Sequence, residues 1–263
     1  MLKSIILNNK LLRIPILLSK RIFILNFLKN KKFILSRTAC LGNDSINIAF
    51  SNYTVINYQK LRIDYLYNIL NNNESIKFSS LVNKYIERTD IYELYIQQFL
   101  HKWVFKKNKP FCIIFDSYSE LTDQKFIYKL DNKKFFFSNY SDLNHDFEND
   151  YNCIGLINTN ELYNYYLDVF TKLSLYYAQA PIVFIIFPKK LDTRIKFKER
   201  HNEIKNAIYL VKKHIKDLSI IDIPENLVNH NEKDNFPYHF SSETYTYVSD
   251  KLKEIININA IKC

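Results

Sequence analysis

The sequence predicts a three-layer α/β domain built on a five-stranded parallel sheet, and three observations predict it. Five short segments rich in β-branched and aromatic residues occur in order along the chain. Longer stretches with helical apolar spacing separate them, an alternation that belongs to parallel sheets with helices on both faces. The fourth segment, "PIVFIIFP" (181–188), is a continuous apolar run between prolines, as expected of a strand buried on both faces.

The strand segments are "KFILSRTAC" (32–40), "YTVINY" (53–58), "FCIIFD" (111–116), "PIVFIIFP" (181–188) and "LSIIDIP" (218–224). Helical patterns cover 60–108, Thr159 to Gln179 and 194–216, and a last amphipathic helix covers 241–257. Between the third strand and the helix at Thr159, residues 121–152 read as an irregular or hairpin insertion that could form a substrate-facing wall. The division expected is an N-terminal arm, 1–31, followed by one α/β domain, 32–263.

Composition removes several function classes. The 263 residues contain two glycines, Gly42 and Gly155. Neither a dinucleotide-binding GxGxxG, nor a GxxxxGK phosphate loop, nor a GxSxG nucleophile elbow can be written with them. The four cysteines, Cys40, Cys112, Cys153 and Cys263, are far apart and form no CxxC pair. Buried free thiols are the plain expectation, with no metal site and no cofactor.

The net charge of +10 is not spread over the chain. Residues 1–43 carry nine cations and no acid, so +9 of it lies there. Nucleic-acid binding is therefore not expected of the body of the protein. Residues 5–32, "IILNNKLLRIPILLSKRIFILNFLKNKK", have apolar runs too short and too charged for a bilayer span of about 20 apolar residues. They fit an amphipathic helix on an anionic membrane surface, or one docked on the core with its Lys and Arg in water. The expected location is cytoplasmic, peripheral to the inner face of the membrane in the first case.

In a parallel sheet the site forms at the C-terminal ends of the strands. Those ends bring Thr38 to Ser45, Asp116 to Ser119, Pro188 to Thr193 and the loop to His239 to one edge. His239 is delivered by "DNFPYHFSSETYTYVSDKL" (234–252) directly into the last helix, a placement suited to a general base. Asp116 at its strand end suits substrate binding or capping of the next turn. Arg194 lies near the same edge. His101, His145, His201, His214 and His230 show no metal-ligand spacing, and His230 could join the His239 loop.

The block "HFSSETYTYVSDKL" resembles the last block of the SGNH (GDSL-type) esterases and acetyltransferases, whose pattern is D-x-x-H before a helix. "PYHF" and "FCIIFDSYSELTDQKF" are more narrowly similar to a bacterial SGNH-like family of unassigned function associated with polysaccharide biosynthesis. The resemblance implies the five-stranded flavodoxin-like sheet over about residues 32–257. It also implies carbohydrate O-acyl esterase or O-acetyltransferase chemistry, on a carbohydrate or acyl-ester substrate and without a cofactor. His239 would be the base, Ser45 the nucleophile in "GNDS", and Asp234 the group orienting the imidazole. Backbone N–H groups near Gly42 would hold the oxyanion.

The chain departs from the pattern in two places. Matching Cys40 and Asp44 to the narrower family's first block puts Ala39 where its serine stands, and Phe236 occupies the acid position of D-x-x-H. Ser36 is an alternative nucleophile on the first strand. Ser117 is another, in a second register that reads "IIFDSYS" as the nucleophile block and "CIGLINTNELY" (153–163) as the G-x-N-D block. A catalytically silent binding or assembly protein of a polysaccharide pathway is the competing expectation.

Overall fold

All five expected strands form, and they pair in parallel. A computed structural model describes residues 33–71, 85–86, 94–95, 109–130, 132, 134–137, 147–178, 180–232 and 238–261. The arm 1–31 and Asp234 lie outside the described residues. Strands β1 (Phe33–Arg37), β2 (Thr54–Asn57) and β3 (Cys112–Asp116) enter the main sheet. Three more strands, β4 (Gln124–Tyr128), β5 (Lys134–Phe137) and β6 (Tyr151–Gly155), come from the insertion. The main sheet is completed by β7 (Ile182–Ile186) and β8 (Leu218–Asp222), in the order β2-β1-β3-β7-β8.

Why these segments are strands is visible in their burial. Every residue of β1, β3 and β7 is buried, which is the environment that a continuous β-branched run satisfies. Ile34, Ile113, Ile114, Val183, Phe184 and Ile185 are fully enclosed. Each such side chain contributes roughly 1.5–3 kcal/mol relative to exposure. Register is fixed by pairs such as Ile34 with Cys112 and Ile113 with Ile182.

The helices fall into two groups. Helix α1 (Cys40–Ala49) follows β1, α2 (Ile63–Leu70) follows β2, and α3 (Tyr118–Thr122) follows β3. A short α4 (Phe147–Asp150) precedes β6, α5 (Leu162–Tyr176) leads to β7, α6 (Ile195–Lys212) to β8, and α7 (Ser242–Ile261) closes the chain. Helix α1 packs on α7, while α2 packs on α5 and α5 on α6. The connection leaving β1 runs toward β2, and every later one runs the other way across the sheet. Right-handed crossovers therefore put α1 on one face and α2, α5 and α6 on the other.

The insertion is ordered more fully than its sequence suggested. Strands β5-β4-β6 make a separate antiparallel sheet, with Phe126, Phe147, Tyr128 and Tyr151 meeting in edge-on and tilted ring contacts. Gly155 ends β6 at φ 91°, a left-handed conformation that glycine adopts without strain. Of the helical pattern expected over 60–108, α2 lies in the described part. Both β1 and β2 belong to the parallel sheet, and β6 with Gly155 does not.

Candidate functional site

Strand order reverses between β1 and β3, since the chain leaves them in opposite directions; open α/β sheets bind ligands at such a point. Two loops meet there. After β1, Thr38 donates its N–H to Asn57 Oδ1 (2.9 Å) and accepts from Asn57 Nδ2 (2.8 Å), so the end of β2 clamps the turn into α1. Ala39 is the N-cap of α1 and has no side chain with which to cap. Asp116 holds the N-cap residue's own N–H from the end of β3: its Oδ2 takes the Ala39 N–H at 2.6 Å and its Oδ1 the Tyr118 N–H at 3.1 Å.

Asp116 is 2% exposed. Burial pushes its carboxyl up to about 7, against the pull of Arg37 and the two N–H groups. Beneath it lies a charged network that sequence reading assigned elsewhere. Arg37 counted among the nine N-terminal cations; its guanidinium is instead buried against both Glu120 oxygens, with Nη2–Oε2 at 2.8 Å. It also donates to the Leu61 and Asp116 carbonyls. Glu120 further accepts the Ile63 N–H and the Tyr166 hydroxyl. Lys60 pairs with Asp123, and Arg62 with Asp64. An arginine ending an otherwise apolar strand was the signal available in the sequence.

The three serines occupy different places. Ser45 is fully buried on the face of α1 that also carries Leu41, Gly42 and Ile46. Its Oγ has no hydrogen-bond partner among the described residues, and neither does the Oγ of Ser36, 1% exposed in β1. Ser117 stands at the strand-end edge, also 1% exposed, with its Oγ accepting the Phe187 N–H at 2.9 Å. Gly42 lies in the first turn of α1, where N–H groups have no intrahelical acceptor. A Cβ there would come within 2.6 Å of Thr38 Cβ. The exposed side chain in this turn is Cys40; Cys153 is exposed as well, while Cys112 is buried.

His239 reaches the same edge between two anchored aromatics. The Tyr238 ring meets Tyr118 at 5.5 Å and Phe187 at 5.9 Å, and Phe240 meets Phe187 at 5.5 Å. The Tyr238 hydroxyl donates to Asp192 Oδ2 (3.0 Å), and the Arg194 guanidinium grips the same carboxylate through Nε (3.0 Å) and Nη2 (2.6 Å). Arg194 is thus engaged with Asp192 and the Tyr238 hydroxyl, and holds the loop. His230 bridges Phe240 in antiparallel fashion, and the His239 carbonyl accepts the Asn231 N–H. His239 itself is half-buried.

Among the described residues no group of three or more His, Cys, Asp or Glu side chains could hold a metal ion. No helix among them is long and apolar enough to cross a membrane. The edge offers a turn held by Asp116 and Asn57, the half-buried residue His239 on its loop, and the buried Ser117.

No family model matches the chain, and no curated protein matches it. Among solved structures, an acetyl xylan esterase (Est2A) from the rumen bacterium Butyrivibrio proteoclasticus is similar at a TM-score of 0.41 and 10% identity. The alignment covers 87% of this chain and 63% of that one, so the chain spans less than two thirds of its length.

Proposed function

We propose that this chain is an SGNH-like protein that binds a carbohydrate or its acyl ester in a polysaccharide pathway without turning it over. The observation that supports this reading is Ala39. It stands at the first turn after β1, where the narrower family's serine falls when Cys40 and Asp44 are matched to its first block, and its N–H is held by Asp116. The neighbouring hydroxyls do not substitute for it, because Ser36 and Ser45 are buried with their Oγ atoms inside the fold. Phe236 replaces the acid that would orient His239. The basic segment 1–31 would carry the protein to an anionic membrane surface on the cytoplasmic side.

The second reading is an O-acyl esterase or acyltransferase. It is favoured by the contact of Tyr238 with Tyr118, which brings the His239 loop onto the residue after Ser117. His239 would then take the Ser117 proton, with the Phe187 N–H still donating to the oxygen.

Fluorophosphonate labelling of the full chain and of Ala39→Ser separates the two. Under the first reading the wild-type chain carries no label, Ala39→Ser gains one at residue 39, and the wild-type chain still binds a glycan on an array. A wild-type label that maps to Ser117 and disappears in His239→Ala overturns it in favour of the esterase.

A further inference from the structure

A cleft of about 360 Å³ opens beside this edge, between the ends of β7 and β8 and the flank of α6. Its volume is in the range of sites for small organic ligands. Lys189, Lys190, His201, Lys205, Asp222 and Glu225 supply its polar lining.

The charges do not cancel. Lys205 pairs with Asp222 at 2.5 Å, which neutralises both. Glu225 is exposed and opposes an anion. Lys189 and Lys190, however, reach amide oxygens and, among the described residues, no carboxylate: Asn202 Oδ1 at 2.6 Å and Asn229 Oδ1 at 3.4 Å. An ammonium carries three donors, so each keeps two for a ligand.

His201 is the second, independent observation. It is 5% exposed and lines the cleft, with its Nδ1 enclosed and without a hydrogen-bond partner among the described residues, so the ring meets the cleft by another edge. Burial, with the charges of Lys189 and Lys205 nearby, holds this imidazole below its ordinary pKa, which places the Lys189 and Lys205 charges near the ring.

A cation is the wrong occupant, because Asp222 is already paired and two unneutralised ammonium groups face the space. We propose that the β7–β8 cleft is an oxyanion-binding site, taking the phosphate or carboxylate group of a small organic anion between Lys189, Lys190 and His201. The site does not depend on how the β1–β3 edge is used.

The test is an NMR titration of the full chain, with its histidines isotope-labelled, at constant ionic strength. Inorganic phosphate, glucose 1-phosphate and glucuronate are added separately, with glucose as the neutral control. The expected result is a saturable shift of the His201 ring signals with at least one anion and none with glucose. Tighter binding of glucose 1-phosphate than of inorganic phosphate identifies an organic phosphate. Equal binding identifies the free ion, and a response to glucuronate alone identifies a carboxylate.

Lys189→Gln with Lys190→Gln should weaken the binding about tenfold or more, as loss of charge-assisted hydrogen bonds does. Lys213→Ala, exposed at the end of α6, should leave it unchanged. No saturable His201 shift with any of the three anions overturns the proposal, and so does a shift that the double lysine variant leaves unaltered.

Discussion

Arg37 and Glu120 form a fully buried ion pair, 2% and 0% exposed, that joins the end of β1 to α3 beneath the β1–β3 crevice. Each member has further partners. Arg37 donates to two carbonyls, and Glu120 accepts from the Ile63 N–H and the Tyr166 hydroxyl. The pair therefore ties β1, α2, α3 and α5 together under the candidate site.

Removing one partner should be severe. Glu120→Ala leaves a buried guanidinium, an N–H and a phenol without their acceptor, and should cost about 3–5 kcal/mol in urea unfolding. Arg37→Met with Glu120→Leu should be clearly more stable than Glu120→Ala, because no uncompensated charge remains. A double variant as unstable as the single one would show that packing, not the stranded charge, sets the cost.

Asp116 should make stability fall as pH rises. Its folded pKa, about 7, lies above the ordinary 3.8. Between those values the unfolded chain has released the proton and the folded chain still holds it, so stability declines across that window. Unfolding midpoints at pH 5 and pH 8, compared between wild type and Asp116→Asn, should show this component in the wild type alone. An identical pH dependence in both would assign it to other groups.

Gly42→Ala should destabilise the fold by about 1–3 kcal/mol, the usual cost of overpacking a closed interior. The new Cβ would stand 2.6 Å from Thr38 Cβ and 2.8 Å from Cγ2. Thr38 cannot retreat easily, since its backbone is clamped on both sides by Asn57. Thermal unfolding measures the effect; an unchanged midpoint would mean that α1 moves off the strand end.

The parts of this fold legible in the sequence are those where burial leaves a one-dimensional trace. β7 was readable because a strand covered on both faces must be apolar throughout, and Pro181 and Pro188 mark its ends. Asp116 was readable as a strand-end carboxylate; that its partner would be the Ala39 amide, 77 positions away, was not. Arg37 shows the limit most clearly. Beside eight other cations it looks like solvated charge, and only the arrival of Glu120 from another element makes it part of the interior. The three-stranded sheet of 124–155 was equally hidden, because lysine and asparagine interrupt the alternation that marks a strand.

Asp192 should respond to pH in the opposite sense to Asp116, and through the loop that carries His239. Burial raises its pKa, but the hydrogen bonds from Arg194 and Tyr238 outweigh that and hold it below the ordinary value. A depressed carboxyl adds stability above its unfolded pKa, near 4, and that stability is lost as pH falls through the folded value. Arg194 is largely exposed, 58% by its side chain, so solvent limits the gain to about 1 kcal/mol. The effect should be local, because the carboxylate joins the start of α6 to Tyr238. Asp192→Asn should speed hydrogen exchange at the Ser241 N–H, which donates to the Asn229 carbonyl, at neutral pH. In the wild-type chain the protection of this amide, taken relative to its intrinsic rate at each pH, should fall to the variant's level only below about pH 4. Tyr238→Phe removes the hydroxyl but keeps the ring contacts with Tyr118 and Phe187, and should give a smaller acceleration. Exchange at this amide that is slow in all three proteins would mean that the aromatic contacts alone fix the loop.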